Sequence, residues 1–211
     1  MYHKGSLMKY LLLPFLAIAN LAYADYCGDY YNNYKSDWDK KNLLHHCQQA
    51  NKGDPESQFS LASWLKTDAK KTNEAYNWLI ASAKSGCGKS QLGVGYLLFS
   101  GDGVEQDLSE AYKYFSLAAS SGIPLAQYLQ GYMLFYGYGI NKDLNRGMDL
   151  IKNAAMQVTS QAYSQLGYIY QEGIGVERNL GISGQYFIQA NVADALNSLK
   201  GKKFDCDIYK N

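Results

Sequence analysis

The sequence predicts an all-α protein, an α/α solenoid in which helix pairs stack into a superhelical array, and three observations carry that prediction. A unit returns at a fixed step: the glycine pair Gly101 and Gly103 recurs at Gly137 and Gly139 and again at Gly173 and Gly175, 36 residues apart each time. Positions around the pair keep the same step, among them Gly95, Gly131 and Gly167, Tyr96, Tyr132 and Tyr168, and Phe115, Ile151 and Phe187. Apolar residues sit at helical spacing before each glycine pair (Val94, Leu97 and Leu98; Leu129, Met133 and Leu134), and alanines such as Ala111, Ala118 and Ala119 mark a second helix after it. A period of this length belongs to a supersecondary unit that buries its apolar face only against its neighbours.

From the start of the chain, residues 8–24, MKYLLLPFLAIANLAYA, join a lysine to an apolar run and end in Ala22-Tyr23-Ala24. This pattern is that of a cleaved secretory signal, with residues 1–24 removed, Met8 the more natural start and Asp25 the mature N-terminus. The run falls short of the roughly 20 apolar residues that span a bilayer, so no stable membrane insertion is expected after cleavage. A periplasmic or secreted protein follows. All four cysteines, Cys27, Cys47, Cys87 and Cys206, lie beyond the signal, and an oxidising compartment makes disulfides the default. Cys27 and Cys47 lie together and are the first pair to expect. Cys87 and Cys206 are left open, because two repeats stacked between them oppose the roughly 7 Å Cα separation that a bridge tolerates.

The 211 residues are 47% hydrophobic and 18% charged, enough for one array with a continuous core. The net charge of +1 becomes about −1 without Lys4 and Lys9, so no basic stripe is present to recruit nucleic acid.

Residues 25–53 read as a polar, aromatic segment followed by a capping helix over 36–52. It opens on Ser36 and Asp39 in a capping-box arrangement and ends at Gly53. Repeats then occupy 54–194. The first, 54–86, is degenerate: SQFSLASWL at 57–65 matches SQLGVGYLL at 90–98 with a step of 33, so three residues are missing from the loop that holds the glycine pair elsewhere. The regular units are 87–122, 123–158 and 159–194. In each, a glycine inside the first helix marks a close helix approach, the glycine pair ends that helix, and Val104, Ile140 or Val176 plugs the loop. Asp107, Asp143 or Asn179 then caps the second helix. Residues 195–211 are expected to form a last capping helix and a polar tail.

Few constellations suggest chemistry. AKSGCGKS at 83–90 fits a relaxed phosphate-loop pattern, but a working loop follows a strand, and here a repeat helix precedes it. His45 and His46 are adjacent and point about 100° apart on a helix, so they cannot share a metal. Neither C-x-x-C nor H-E-x-x-H is present. No catalytic residue, metal or cofactor is expected.

The aromatic pattern points to binding. If the first helices line the inner surface of the array, Tyr96, Tyr132 and Tyr168 face inward. Phe99 and Phe135 lie one turn further on, and Tyr128 one turn before. These six residues are the candidate partner-binding face, since rigid rings give large contact area with few rotors to freeze. The same rings could instead pack between helices as core, and both arrangements are open.

The motif LGYIYQEGIGV at 166–176, with VGYLLFSGDGV and QGYMLFYGYGI in the other copies, resembles the Sel1-like repeat, an α/α unit related to the tetratricopeptide repeat. The second half, D-x-x-x-A-x-x-x-F-x-x-A-A-x-x-G, stands at 107–122. The resemblance covers about residues 40–194. It implies a non-enzymatic module that binds another protein, and by analogy with small exported members, an immunity protein that blocks a periplasmic toxin. Two alternatives come with it: a secreted β-lactam-binding or hydrolysing protein like the cysteine-rich Sel1-type proteins, against which the absence of a cysteine pair in each repeat counts, and a cell-envelope assembly adaptor. Nothing in the sequence fixes the oligomeric state.

Overall fold

The computed structural model describes residues 45–67 and 69–199. The candidate signal, Cys27, Cys206, the segment 25–44 and the tail 200–211 lie outside the described residues. Residues 45–51 are helical, and eight helices follow: α1 (Pro55–Leu65), α2 (Thr72–Lys84), α3 (Gly88–Ser100), α4 (Leu108–Ser120), α5 (Pro124–Tyr136), α6 (Leu144–Met156), α7 (Ser160–Glu172) and α8 (Leu180–Leu199). A single 3₁₀ turn, Ala69–Lys71, replaces the glycine loop between α1 and α2. Odd-numbered helices are the first of each pair and even-numbered the second. Each packs on the next in chain order, and the first helices α5 and α7 also touch. The described residues thus form an all-α solenoid of helix pairs.

Each loop is built by the same few bonds. The amide of Gly101, Gly137 or Gly173, in the left-handed conformation, donates to the carbonyl of Leu97, Met133 or Ile169 and closes the first helix. The amides of Asp107, Asp143 and Asn179 then reach back to Leu98, Tyr170's counterpart Leu134, and Tyr170 itself, at 3.0, 2.9 and 2.8 Å in repeat order. The side chains of Asp107, Asp143 and Asn179 accept the amides of Glu110, Arg146 and Ile182 at 2.9, 3.0 and 3.0 Å, so Asn179 caps as well as its acidic counterparts. Glu110 does not complete a capping box with Asp107; its carboxylate pairs with Lys113. The loop plug is uneven: Val104 and Val176 are half-buried, whereas Ile140 is exposed.

The helix glycines mark helix crossings. A Cβ at Gly95 would lie 2.6 Å from the Phe115 ring, and one at Gly167 2.9 Å from Phe187. Between α5 and α6 the crossing is glycine on glycine, since a Cβ on Gly131 would meet Gly147 O at 2.9 Å. The core runs through Leu61, Leu65, Trp78, Val94, Leu97 and Phe115 to Met133, and continues through Phe135, Ile151, Leu166 and Ile169. Cys47 and Cys87 are both buried. The expected break at 194 is not present: α8 runs unbroken to Leu199, so residues 195–199 extend the last repeat's second helix instead of starting a separate one.

Candidate partner-binding face

In α5 the spacing i, i+4, i+8 sets Tyr128, Tyr132 and Tyr136 on one stripe, because four residues advance a helix by little more than a full turn. Their ring centroids are 6.0 and 4.9 Å apart in sequence order. Tyr138, held in the turn between Gly137 and Gly139, folds back over the stripe. Its ring lies 5.7 Å from Tyr132 and 5.8 Å from Tyr136, and it meets Phe99 of the preceding repeat at 6.3 Å. Gln165 of α7 donates its Nε2–H to the Tyr136 hydroxyl at 2.8 Å, tying the stripe to the following repeat.

Burial holds the phenols of Tyr96, Tyr128, Tyr132 and Tyr136 above their ordinary pKa, and neighbouring tyrosines add to the effect on the last three. Tyr96 bears on Tyr128, and Tyr168 on Tyr132 and Tyr136, so first helices of three successive repeats share one aromatic face. At neutral pH these groups are uncharged. The scaffold beneath is nearly uncharged too: α5 has no acidic or basic residue, α3 only Lys89 and α7 only Glu172. The face offers rings, hydroxyls and the Gln165 amide, a set suited to contact and hydrogen bonding.

Five of the six expected residues reach the surface. Tyr96 is 37% exposed and Tyr168 46%, while Phe99, Tyr128 and Tyr132 are half-buried. These five rings are core on one side and surface on the other. Phe135 is the exception and corrects the expectation: it is 1% exposed and packs in the core beside Met148 and Ile151. Three residues past Tyr132 falls about 60° short of a full turn and aims inward, whereas four residues past, at Tyr136, stays on the stripe. Sequence reasoning missed Tyr136, Tyr138 and Gln165; counting in steps of four from Tyr128 would have found the first.

The other candidate motifs resolve into packing. In 83–90, α2 leads through a turn directly into α3, Ser90 Oγ donates to Ser82 Oγ at 2.6 Å, and a Cβ at Gly88 would already lie 3.0 Å from Ile123 and Ser121. Neither the strand nor the space a phosphate loop needs is there. His46 Nδ1 lies 3.4 Å from Ser57 Oγ. Among the described residues, no three His, Cys, Asp or Glu side chains gather to hold a metal ion, and no helix is long and apolar enough to cross a membrane.

A stack of helix pairs closed by a recurring glycine loop, presenting an aromatic wall, defines a solenoid interaction scaffold. The chain belongs to the Sel1 repeat family: the Sel1 repeat model matches residues 55–87, 88–123, 124–158 and 160–191. Members of this family are in general non-enzymatic modules for protein–protein interaction. Among solved structures, the chain is similar to a Sel1 repeat protein from Oxalobacter formigenes, at 26% identity and a TM-score of 0.59 over 67% of this chain and 59% of that one. It is also similar to a protective antigen of uropathogenic Escherichia coli strains that displays the SLR fold, at 26% identity and a TM-score of 0.64 over 82% and 38%. A sel1 repeat protein from Klebsiella pneumoniae shares the fold at 19% identity and a TM-score of 0.57 over 76% and 82%. The chain thus spans 59% and 38% of the Oxalobacter and Escherichia proteins. Among curated proteins no match is found.

Proposed function

We propose that this protein is an exported, non-enzymatic binding module that holds another protein against the tyrosine face of α3, α5 and α7. One observation carries the reading. The regular repeats share a tyrosine at one position, Tyr96, Tyr132 and Tyr168, where the degenerate first repeat has Ser63; Tyr136 and Tyr138 are particular to this repeat, and at Tyr128 the first repeat alone also has a ring, Phe59. Tyr128 replaces Leu92 and Ser164, Tyr136 replaces Ser100 and Glu172, and Tyr138 replaces Asp102 and Ile174. A scaffold position that tolerates serine, glutamate or aspartate does not need a ring, so the rings answer to something outside the scaffold. Large aromatic residues around a neutral centre are what protein interfaces concentrate. The signal-like stretch at 8–24, with all four cysteines beyond it, supports an oxidising, exported setting.

The test is capture from the native envelope fraction by wild-type protein and by Tyr132→Ala/Tyr138→Ala, with helicity checked by circular dichroism. A protein retained by the wild type and lost from the folded double variant supports the face, and its identity separates toxin blocking from envelope assembly. Equal retention by both overturns the reading.

A further inference from the structure

Between the second helices α4 and α6, over the flank of α5 turned away from the tyrosine stripe, lies a cleft of about 570 Å³. None of the nine described residues that line it is ionisable, and four carry primary amides: Gln127 and Gln130 from α5, Asn153 and Gln157 from α6. Gln127 and Gln130 sit about 100° and 160° around α5 from Tyr128, so the cleft and the tyrosine face are separate surfaces.

The cleft exists because one repeat departs from the others. At the position of Leu150 the other three repeats have a ring, Trp78, Tyr114 and Tyr186; at the position of Gln130 they bury an aliphatic residue, Leu61, Val94 and Leu166. An aliphatic chain in place of a ring leaves space, and an amide in place of buried hydrocarbon lines that space with polar atoms. Such atoms cost stability unless they are bonded. Gln130 is half-buried and bonded on one side: its Nε2–H donates to Ser116 Oγ at 3.0 Å, and no described group meets its Oε1. Gln127 departs as well. Its counterparts Gln58 and Gln91 are buried and donate Nε2–H to the carbonyls of Ala50 and Ala83, fastening each repeat to the one before. Gln127 is half-buried, and its Oε1 accepts from Gln157 Nε2 at 2.6 Å, while Gln157 also donates to the Asn153 carbonyl at 3.3 Å. These bonds leave amine donors on Gln127 and Asn153 and carbonyl acceptors on Gln130 and Gln157, all beside the cleft.

We infer that the cleft binds the main chain of an extended, uncharged peptide segment, at a site that does not rest on the tyrosine face. A peptide group offers one N–H and one C=O, the pair that a primary amide answers. Spacing favours an extended chain. Asn153 and Gln157 are four residues apart on α6, an axial rise of about 6 Å, and the peptide groups on one side of an extended strand recur every two residues, about 6.7 Å. The two α6 amides therefore meet successive peptide groups on one side, with Gln127 and Gln130 facing them across the cleft. Leu150 and Met156 give the segment's side chains an apolar wall. A charged segment would leave its charge without a counterpart here. A sugar ring would ask for an aromatic platform, and no ring is among the described lining residues. The volume lies within the roughly 300–1,000 Å³ of ligand sites.

Titration of the full-length, ¹⁵N-labelled protein with acetyl-Ala-Ser-Ala-Ser-methylamide, followed by NMR of the side-chain amides, tests this. The signals of Gln127, Gln130, Asn153 and Gln157 are expected to shift saturably, and that of Gln106, in a loop, to stay. The same peptide N-methylated at both serines lacks two main-chain N–H groups and is expected to bind about tenfold more weakly. Gln130→Val, which restores the residue of the preceding repeat, is expected to fold normally and to lose about tenfold in affinity. Leu150→Tyr is expected to fill the cleft and abolish the shifts; if that ring disturbs the crossing of α5 and α6, Gln130→Val carries the test. The inference is overturned if the four signals do not move, if only Gln165 on the tyrosine face moves, or if the N-methylated peptide or the folded Gln130→Val variant binds as the original pair does. It is overturned equally if chitobiose shifts the four signals and the peptide does not. Partner capture by the tyrosine face does not enter this titration, so either proposal can fail alone.

Discussion

Gly139 and Gly175 occupy the same place in successive repeats, and alanine at the two should cost very different amounts. Both are left-handed, with φ of +67° and +71°. Alanine in that conformation costs about 1–2 kcal/mol at either site. The surroundings differ. A Cβ at Gly139 would lie only 2.4 Å from the carbonyl carbon of Leu108 and 2.6 Å from its Cβ, because the loop of one repeat rests on the first turn of the preceding second helix. At Gly175 the nearest atoms are the Leu144 methyls at 3.7 Å, an ordinary contact. Forcing a methyl group against backbone adds about 1–3 kcal/mol. Gly139→Ala is therefore expected to lose about 2–5 kcal/mol and Gly175→Ala about 1–2 kcal/mol. Urea denaturation followed at 222 nm measures both, with Gly175→Ala as the internal reference for the conformational part. Equal losses would refute the claim that the second glycine is where consecutive repeats rest on one another.

Other expectations follow from the same geometry. Phe135→Ala, opening a cavity in the core, should lose about 3–5 kcal/mol, while Tyr138→Ala, at a surface turn, should stay within about 1 kcal/mol; urea midpoints compare them. Asp107→Ala and Asp143→Ala should each lose about 1 kcal/mol through the helix caps, measured the same way. The raised pKa values of Tyr96, Tyr128, Tyr132 and Tyr136 mean that the folded chain keeps these phenolic protons to higher pH than the unfolded chain does. The stability they contribute is complete below the ordinary tyrosine value of 10.0 and is lost as pH rises through the raised values, so thermal midpoints should fall above about pH 10 and fall less in Tyr128→Phe/Tyr132→Phe.

The fold was legible because every repeat reports the same constraints. Three copies of a glycine pair, a helix glycine and a capping Asp or Asn leave few arrangements that satisfy all of them. The site was legible only in part, because a tyrosine face is decided by a few tens of degrees around a helix. Tyr96, Tyr132 and Tyr168 repeat and could be placed; Phe135, one residue short of the stripe, could not be told from Tyr136 by composition alone. Tyr138 was harder still, since it lies in a turn, where helical periodicity says nothing about direction.

The repeat separates what stacking requires from what it permits. Positions that the three regular units fill alike, such as Gly95, Gly131 and Gly167, hold neighbouring helices together, and a change there is paid in stability. Positions where one unit departs from the others without loss to the stack are free to answer to another molecule. One such departure is concentrated on a first helix and its loop: the rings at 136 and 138, joined by Tyr128. Exchanging Tyr128, Tyr136 and Tyr138 for their counterparts Leu, Ser and Asp from the preceding repeat should therefore abolish partner capture while leaving helicity and the urea midpoint close to those of the wild type. Circular dichroism and capture on that variant together separate a surface that binds from rings that the stack itself needs.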